Sequence, residues 1–357
     1  MAAVVPISKP HSIAQGLQYK AAAVAVGALA VTALIRPAGP APGTDLAQDL
    51  WRPSRLTSAS LRQPRYARVT AVTLEGSSHN TCVMALGKND KISVGYGELS
   101  PDIIVSLAAC DLYNASREAA STELLGGASL SARNIFLSGG YALSAGAVMT
   151  ASRYLTTYTS PVADPYAPLE VPPYRECTRT RYRLDQQRTE TISPGIYCGG
   201  IEVAGGATLN LDPGTYILDR GNFAVSGDST VSGAGVTLIL TSRTRSDHGA
   251  IDIHAGSTIE LAAPALGAAT GIPGIAIWAD GDGPATNDTF DGGWTQNING
   301  AIYLPARQVK YSGGSPVATR CSQLIARSVT FTGDSYFRHD CAGVSLSEPY
   351  PPPLLAE

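Results

Sequence analysis

The chain has 357 residues, enough for one large domain or two ordinary ones with ample core. Its 26 basic and 29 acidic residues leave a net charge of −3, and charged residues make up only 15%, which argues against a nucleic-acid partner because such chains carry a basic stripe. Thirty-seven glycines, 24 prolines and 16 tyrosines beside 5 phenylalanines and 3 methionines suit a turn-rich, exported β protein.

Residues 1–36 read as a signal anchor. The first 20 carry Lys9 and Lys20 and no acid, and Ala21 to Ile35 is a run of 15 residues without a charge. As a short hydrophobic helix that run rises about 22 Å, against a hydrocarbon core of about 30 Å, so it fits a signal peptide's apolar region as well as a span. No small-x-small cleavage site follows Ile35, which favours an uncleaved anchor in the membrane through residues 21–35. With positive charge ahead of the run and Asp45 and Asp49 behind it, the expected topology is single-pass in the inner membrane. The N-terminus is then cytoplasmic and the C-terminal domain periplasmic or at the cell surface.

Residues 37–66 are Pro- and Ser-rich without a clear period and read as a linker. Strand-like text begins near Ala67-Arg68-Val69-Thr70-Ala71-Val72 and opens a β domain expected over 67–345. Between Ser160 and Tyr174, five prolines punctuate a stretch that reads as an extended crossing between two parts of one solenoid, because repeats resume beyond it. The Pro-rich tail, 346–357, is expected to stay unpaired.

The domain's organising pattern is a repeat: an apolar–any–apolar triplet, a small residue, a glycine-centred pair, then Ser or Thr. It runs from Ile201 through Gly205-Gly206 to Thr208, from Phe223 through Gly227-Asp228 to Thr230, and from Ile251 through Gly256 to Thr258. Looser copies start at Ile135, Val309 and Val329. An imperfect period of about 20 or more residues with strand chemistry is the mark of a solenoid. Each unit supplies a short half-buried strand, a turn on Gly or Asp, a second strand such as Leu209 to Leu211, another turn at Asp212-Pro213-Gly214, and a third strand at Thr215 to Leu218. The expected fold is therefore all-β, a right-handed parallel β-helix.

Six cysteines fall as three sequence-local pairs, Cys82 with Cys110, Cys177 with Cys198 and Cys321 with Cys341. Each loop is about one turn of the repeat, so partners stand one layer apart, although six cysteines allow 15 connectivities and buried free thiols are the alternative. An even count beside an export signal favours disulfides, each worth about 3 kcal/mol in the chain-entropy model.

Several stretches together resemble a known family. They are Thr191 to Ile201 (Thr-Ile-Ser-Pro-Gly-Ile-Tyr-Cys-Gly-Gly-Ile), Leu211 to Leu218 (Leu-Asp-Pro-Gly-Thr-Tyr-Ile-Leu) and Val225 to Thr237, with echoes at Pro161 to Pro165, Asn299 to Pro305 and Cys321 to Ala326. Over roughly residues 68–345 their order resembles the C-terminal region of TadG-like proteins, membrane-anchored components of the Tad (tight adherence, Flp pilus) machinery. The resemblance implies a single N-terminal membrane segment, an extracytoplasmic body, and a structural role in pilus assembly or adherence among pilus-assembly or envelope proteins. TadG-like proteins carry a longer apolar N-terminus followed by a helix rich in Ala and Gln, whereas here Ala21 to Ile35 runs straight into a Pro/Gly linker.

Parallel β-helices also host polysaccharide lyases and hydrolases, so an exported carbohydrate-active enzyme or a carbohydrate-binding adhesin that contacts surface polysaccharide is the alternative. The densest acidic loop holds Asp280, Asp282, Asp288 and Asp291, oxygen donors of the kind calcium takes, but the spacing lacks the EF-hand pattern and its closing Glu. His248 and His254 flank Asp252. Alternation places Asp252 and His254 together in solvent, opposite Ile251 and Ile253, and no nucleophile elbow, phosphate loop or His-Glu-x-x-His is present, so no catalytic residue or other cofactor is assigned. Loops 241–249 and 280–296, the latter carrying Trp294, are the expected contact surfaces. Mass mapping of envelope-derived protein should find the three local disulfides; alkylation of all six cysteines without reductant would reject both the bridges and export.

Overall fold

The computed structural model describes residues 80–95, 102–281, 286–341 and 346, so the expected anchor, the linker and all of the tail but Leu346 lie outside the described residues. The described chain is all β, with no helix among its residues. A first run holds β1 (Thr81–Ala85), β2 (Ile92–Val94), β3 (Ile104–Ala108), β4 (Asp111–Asn114), β5 (Thr122–Leu124), β6 (Ser129–Leu137), β7 (Tyr141–Leu143) and β8 (Val148–Thr156). After residues 157–178 a second run begins with β9 (Arg179–Leu184), β10 (Thr189–Ile192), β11 (Gly195–Val203), β12 (Thr208–Leu211), β13 (Gly214–Asp219), β14 (Phe223–Val225) and β15 (Thr230–Ala234). It continues through β16 (Val236–Thr241), β17 (Ile251–Ile253), β18 (Thr258–Ala262), β19 (Ile275–Ala279), β20 (Asn287–Gly293), β21 (Gln296–Gly313) and β22 (Ser322–Arg338).

Strand pairing is parallel throughout, and the antiparallel contact among the described residues is the isolated bridge between Cys321 and His339. The repeat read from sequence is the register itself: Ile201 lies beside Phe223 and Phe223 beside Ile251. The ladder continues through Val309, Val329, Ile92, Thr122 and Tyr141. Its turns use the left-handed conformation, with φ of 63° and 73° at Gly205 and Gly206 and 64° and 58° at Gly227 and Asp228, which few side chains tolerate. The looser copy at Ile135 belongs to a different ladder, beside Leu112 and Leu155. Both ladders alternate apolar residues and turn on glycine, so the short pattern does not tell them apart.

The order of layers is not the order of the sequence. β22, the last strand, pairs along one edge with β21 and along the other with β1, β2 and β3 of the first run. β1, β4, β6, β3 and β22 thereby close a ring of parallel pairings. The chain thus joins the stack in its middle, proceeds to one end at β8, crosses along the outside, and restarts at the other end with β9.

That crossing covers a second apolar surface. Beside the inward core, one outward column runs from Phe136 through Tyr113, Met84, Ile325, Tyr303, Trp278, Ile239 and Ile217 to Ile196. Val162, Tyr166, Leu169, Val171 and Tyr174 of the crossing pack on it. The Tyr166 hydroxyl donates to Gln323 Oε1 at 2.8 Å, the Tyr303 hydroxyl donates to Asp164 Oδ2 at 2.8 Å, and the Tyr166 and Tyr303 rings lie 5.2 Å apart. With both faces covered, β1, β16 and β19 are buried at every residue, as in sheets covered on both sides. Proline, lacking the donor, suits a strap that lies over the sheet without joining it.

The three cysteine pairs expected from sequence are the three bridges found, with Cα separations of 5.6, 5.6 and 4.7 Å, and no described cysteine is free. Each stands where a run begins or ends: Cys82 in the first strand, Cys177 just before β9, and Cys341 just after β22. Leu324, fully buried between Ile302 and Val83, sits at the seam between the runs. Leu324→Ala should lower stability by about 2–5 kcal/mol in urea unfolding of the oxidised protein; a loss under about 1 kcal/mol would deny that the seam is packed.

Candidate functional site

Between the second half of the strap and the strand ends beneath it lies a cavity of about 630 Å³. Glu170 and Tyr174 line it from the strap; Arg243, Arg245, Asp280 and Gly281 line it from the loops that follow β16 and β19. The register builds its floor. Asp219 closes β13 beside Thr241, which closes β16, and since Leu240 pairs with Ala279, the next position in that column is Asp280. Of these three polar residues Thr241 and Asp280 line the cavity, while Asp219 is buried and bonded to Tyr174 and Arg243, which do line it.

Asp219 is fully buried and accepts hydrogen bonds from four groups. They are the Arg243 amide at 3.0 Å, Arg243 Nε at 2.7 Å, Arg220 Nε at 3.1 Å and the Tyr174 hydroxyl at 3.1 Å. Burial alone would raise its carboxyl pKa, but the amide and guanidinium of Arg243, with Tyr174 and Arg220, hold it below the ordinary value. The Tyr174 phenol is pushed the other way, first by burial and then by the Asp219 charge. The Arg243 guanidinium carbon stands 5.5 Å from the centre of the Tyr174 ring, and its Nη2 lies 3.3 Å from Cys198 Sγ. The second disulfide, the strap and the strand ends therefore meet at one carboxylate.

Asp280 accepts a hydrogen bond from the Thr241 hydroxyl. His248 Nε2 lies 2.9 Å from Asp280 Oδ1, yet neither imidazole nitrogen is aligned for a hydrogen bond, although the His248 side chain is wholly buried. Asp288 is elsewhere. It occupies an inward position between Ile251 and Val309, fully buried, where the Ile251 amide donates to it at 2.8 Å and Arg307 Nη1 at 3.1 Å. Burial raises its carboxyl pKa against the lowering pull of Arg307 and of the Ile251 amide. Asp291 is exposed on β20, and Asp282 lies outside the described residues. Of the acidic loop, Asp280 and Asp288 are thus engaged in separate pairs, and among the described residues no group of three His, Cys, Asp or Glu is placed to hold a metal ion.

Asp252 and His254 emerge together at the surface, 3.3 Å apart, while Ile251 and Ile253 are buried, as alternation requires. The site residues that sequence reasoning did not single out are Asp219, Thr241, Arg243 and Tyr174. Their signal was positional: a polar residue closes each of three aligned strands, Asp219 after Leu218, Thr241 after Leu240 and Asp280 after Ala279. No known protein family, curated protein or solved structure matches the chain.

Because the folded pKa of Asp219 lies below its unfolded value, its contribution is present above about pH 4 and is lost as pH falls through the folded value. Asp219→Asn should cost about 2 kcal/mol at pH 7, less than for a fully buried pair because both guanidinium groups reach solvent. It should also flatten the decline in urea midpoint between pH 7 and pH 3. An equal acid decline in variant and wild type would show that Asp219 does not hold the strap by its charge.

Proposed function

We propose that the described domain is a right-handed parallel β-helix and that the protein is a membrane-anchored, extracytoplasmic structural component of pilus assembly or adherence, of the TadG-like kind. The handedness rests on the parallel crossings between strands of one sheet, which are right-handed in about 98% of cases. The placement outside the cytoplasm rests on three disulfides in a chain with no described free cysteine. Residues 21–35 supply the anchor in this reading, and pilus-assembly or envelope proteins are the partners.

The observation that carries a structural role is the position of the disulfides. Each locks a run of layers at the place where the chain would otherwise peel away, which suits a scaffold. The carboxylates under and in the strap cavity are engaged as well, the buried Asp219 by two arginines and the lining Asp280 by Thr241. Contact with partners falls to the loops at 241–249 and 280–296. In the second of these Trp294 is 62% exposed and rests edge-on against Tyr336.

A carbohydrate-active reading has one observation in its favour. Asp280 lines the cavity, and the buried Asp219 stands two ladder spacings away in the same column, about 9.6 Å between backbones, close to the ~6.5–9.5 Å that separates the carboxyls of inverting glycosidases. The test is an in-frame deletion in the source organism, with pili counted by negative-stain microscopy and surface attachment scored alongside. Loss of both, restored by the full chain and not by one lacking residues 1–36, is the expected result. Unchanged pili and attachment, together with release of sugar oligomers by wild type but not by Asp280→Asn, would replace the structural role with the enzymatic one.

A further inference from the structure

The three disulfides stand in different surroundings. Cys82 and Cys110 are each 0% exposed, and Cys321 at 3% is bonded to a half-buried Cys341. In the second bridge Cys177 is exposed while Cys198 is 4% exposed. A thiolate arriving from solvent therefore meets Cys177 before any other bridged cysteine.

Arg243 is fixed against this same bridge. Its Nη2 lies 3.3 Å from Cys198 Sγ and 3.9 Å from Cys177 Sγ. Asp219 holds the arginine there, accepting from its amide at 3.0 Å and from its Nε at 2.7 Å. A disulfide opens faster when the departing sulfur is stabilised as a thiolate, and a neighbouring guanidinium supplies that stabilisation. The buried sulfur is thus the better leaving group and the exposed one the easier target, so both preferences select one direction of cleavage. The bond is also the strap's last fastening. Cys177 lies three residues beyond Tyr174, and Cys198 belongs to β11, so the bridge ties the end of the strap to the stack.

We propose that Cys177–Cys198 is a thiol-exchange site that takes an external dithiol as its substrate and, once reduced, loosens the second half of the strap over the cavity. One thiolate of the dithiol attacks Cys177 Sγ, the S–S bond breaks, and its electron pair leaves on Cys198 beside Arg243. The second thiolate attacks the mixed disulfide, closes the dithiol's own S–S bond and releases Cys177 as a thiolate. The bridge gains two electrons and the dithiol loses two, while the dithiol's two protons pass to solvent or to the freed cysteines. The Cys198 thiolate then competes with Asp219 for Arg243, so a polar tie weakens as the covalent one is lost. Leu169, Val171 and Tyr174 are left to apolar packing and to the Tyr174 hydrogen bond with Asp219.

The test uses the purified full chain with all three bridges formed and dithiothreitol as the dithiol. Samples quenched over time are alkylated and mapped by mass spectrometry. Cys177 and Cys198 should open about tenfold faster than either other pair; opening at an equal or lower rate would overturn the assignment. Reduced glutathione, a monothiol, should leave its adduct on Cys177 with Cys198 free to alkylate, and an adduct chiefly on Cys198 would refute the direction of cleavage. Arg243→Gln should slow this bridge about threefold while the other two, as references within the same molecule, keep their rates. A rate at or above that of wild type would deny the guanidinium its part. Trypsin cleavage after the exposed Arg175 should quicken about tenfold once this pair alone is open. Cleavage at the oxidised rate would show that the strap does not depend on the bond.

Discussion

The structure depends on the outward column of apolar side chains that the strap covers. A β stack needs only its inward face dry, yet here nine successive positions from Phe136 to Ile196 carry apolar residues on the outside. Each such side chain gains about 1.5–3 kcal/mol from full burial, and together they hold residues 157–178 along the length of the stack. The strap in turn brings Tyr174 over Asp219 and forms one side of the cavity. Core, crossing and cavity are consequences of a single stripe.

That crossing also makes possible the permuted order of layers. A chain that starts in the middle and works to one end has to travel the whole stack to begin again, and the strap is that passage. The seam it leaves, Val83 beside Leu324 and Ala85 beside Ala326, joins residues more than 200 apart in sequence. Such pairings form late, because their loop-closure entropy is spent before they return any contact. The local disulfides, each closing a span of one layer, stabilise either run before the seam exists.

Much of this was legible in the sequence, for a simple reason. The triplets at Ile201, Phe223 and Ile251 face inward in register, so their alternation and glycine turns recur at the spacing of the layers. Cysteines one layer apart read as pairs on the same grounds. The permutation was not legible, since a repeat records what a layer needs and not which layer it adjoins. Sequence alone groups Asp288 with the acidic loop as a calcium donor and gives Arg307 no role, because an arginine far along the chain is unremarkable by itself; buried, the two pair inside an apolar column. Asp219 escaped because its four hydrogen-bond donors come from three residues, Tyr174, Arg220 and Arg243, the first and last of them distant in sequence, and only folding assembles them.

Asn80 and Cys341 both leave the described stack at the seam, the first beside β1 and the second just beyond β22. Tension applied through the chain ahead of Asn80 meets a covalent stop almost at once. Only Asn80 and Thr81 among the described residues can peel before Cys82 passes the load through its bridge to Cys110, next to Asp111. There Arg133 and Asn134 of the following layer hold the Asp111 carboxylate at 2.9 and 2.8 Å. The pull is thus spread sideways across several ladders, which have to shear together, where an unbridged end would unzip one hydrogen bond at a time.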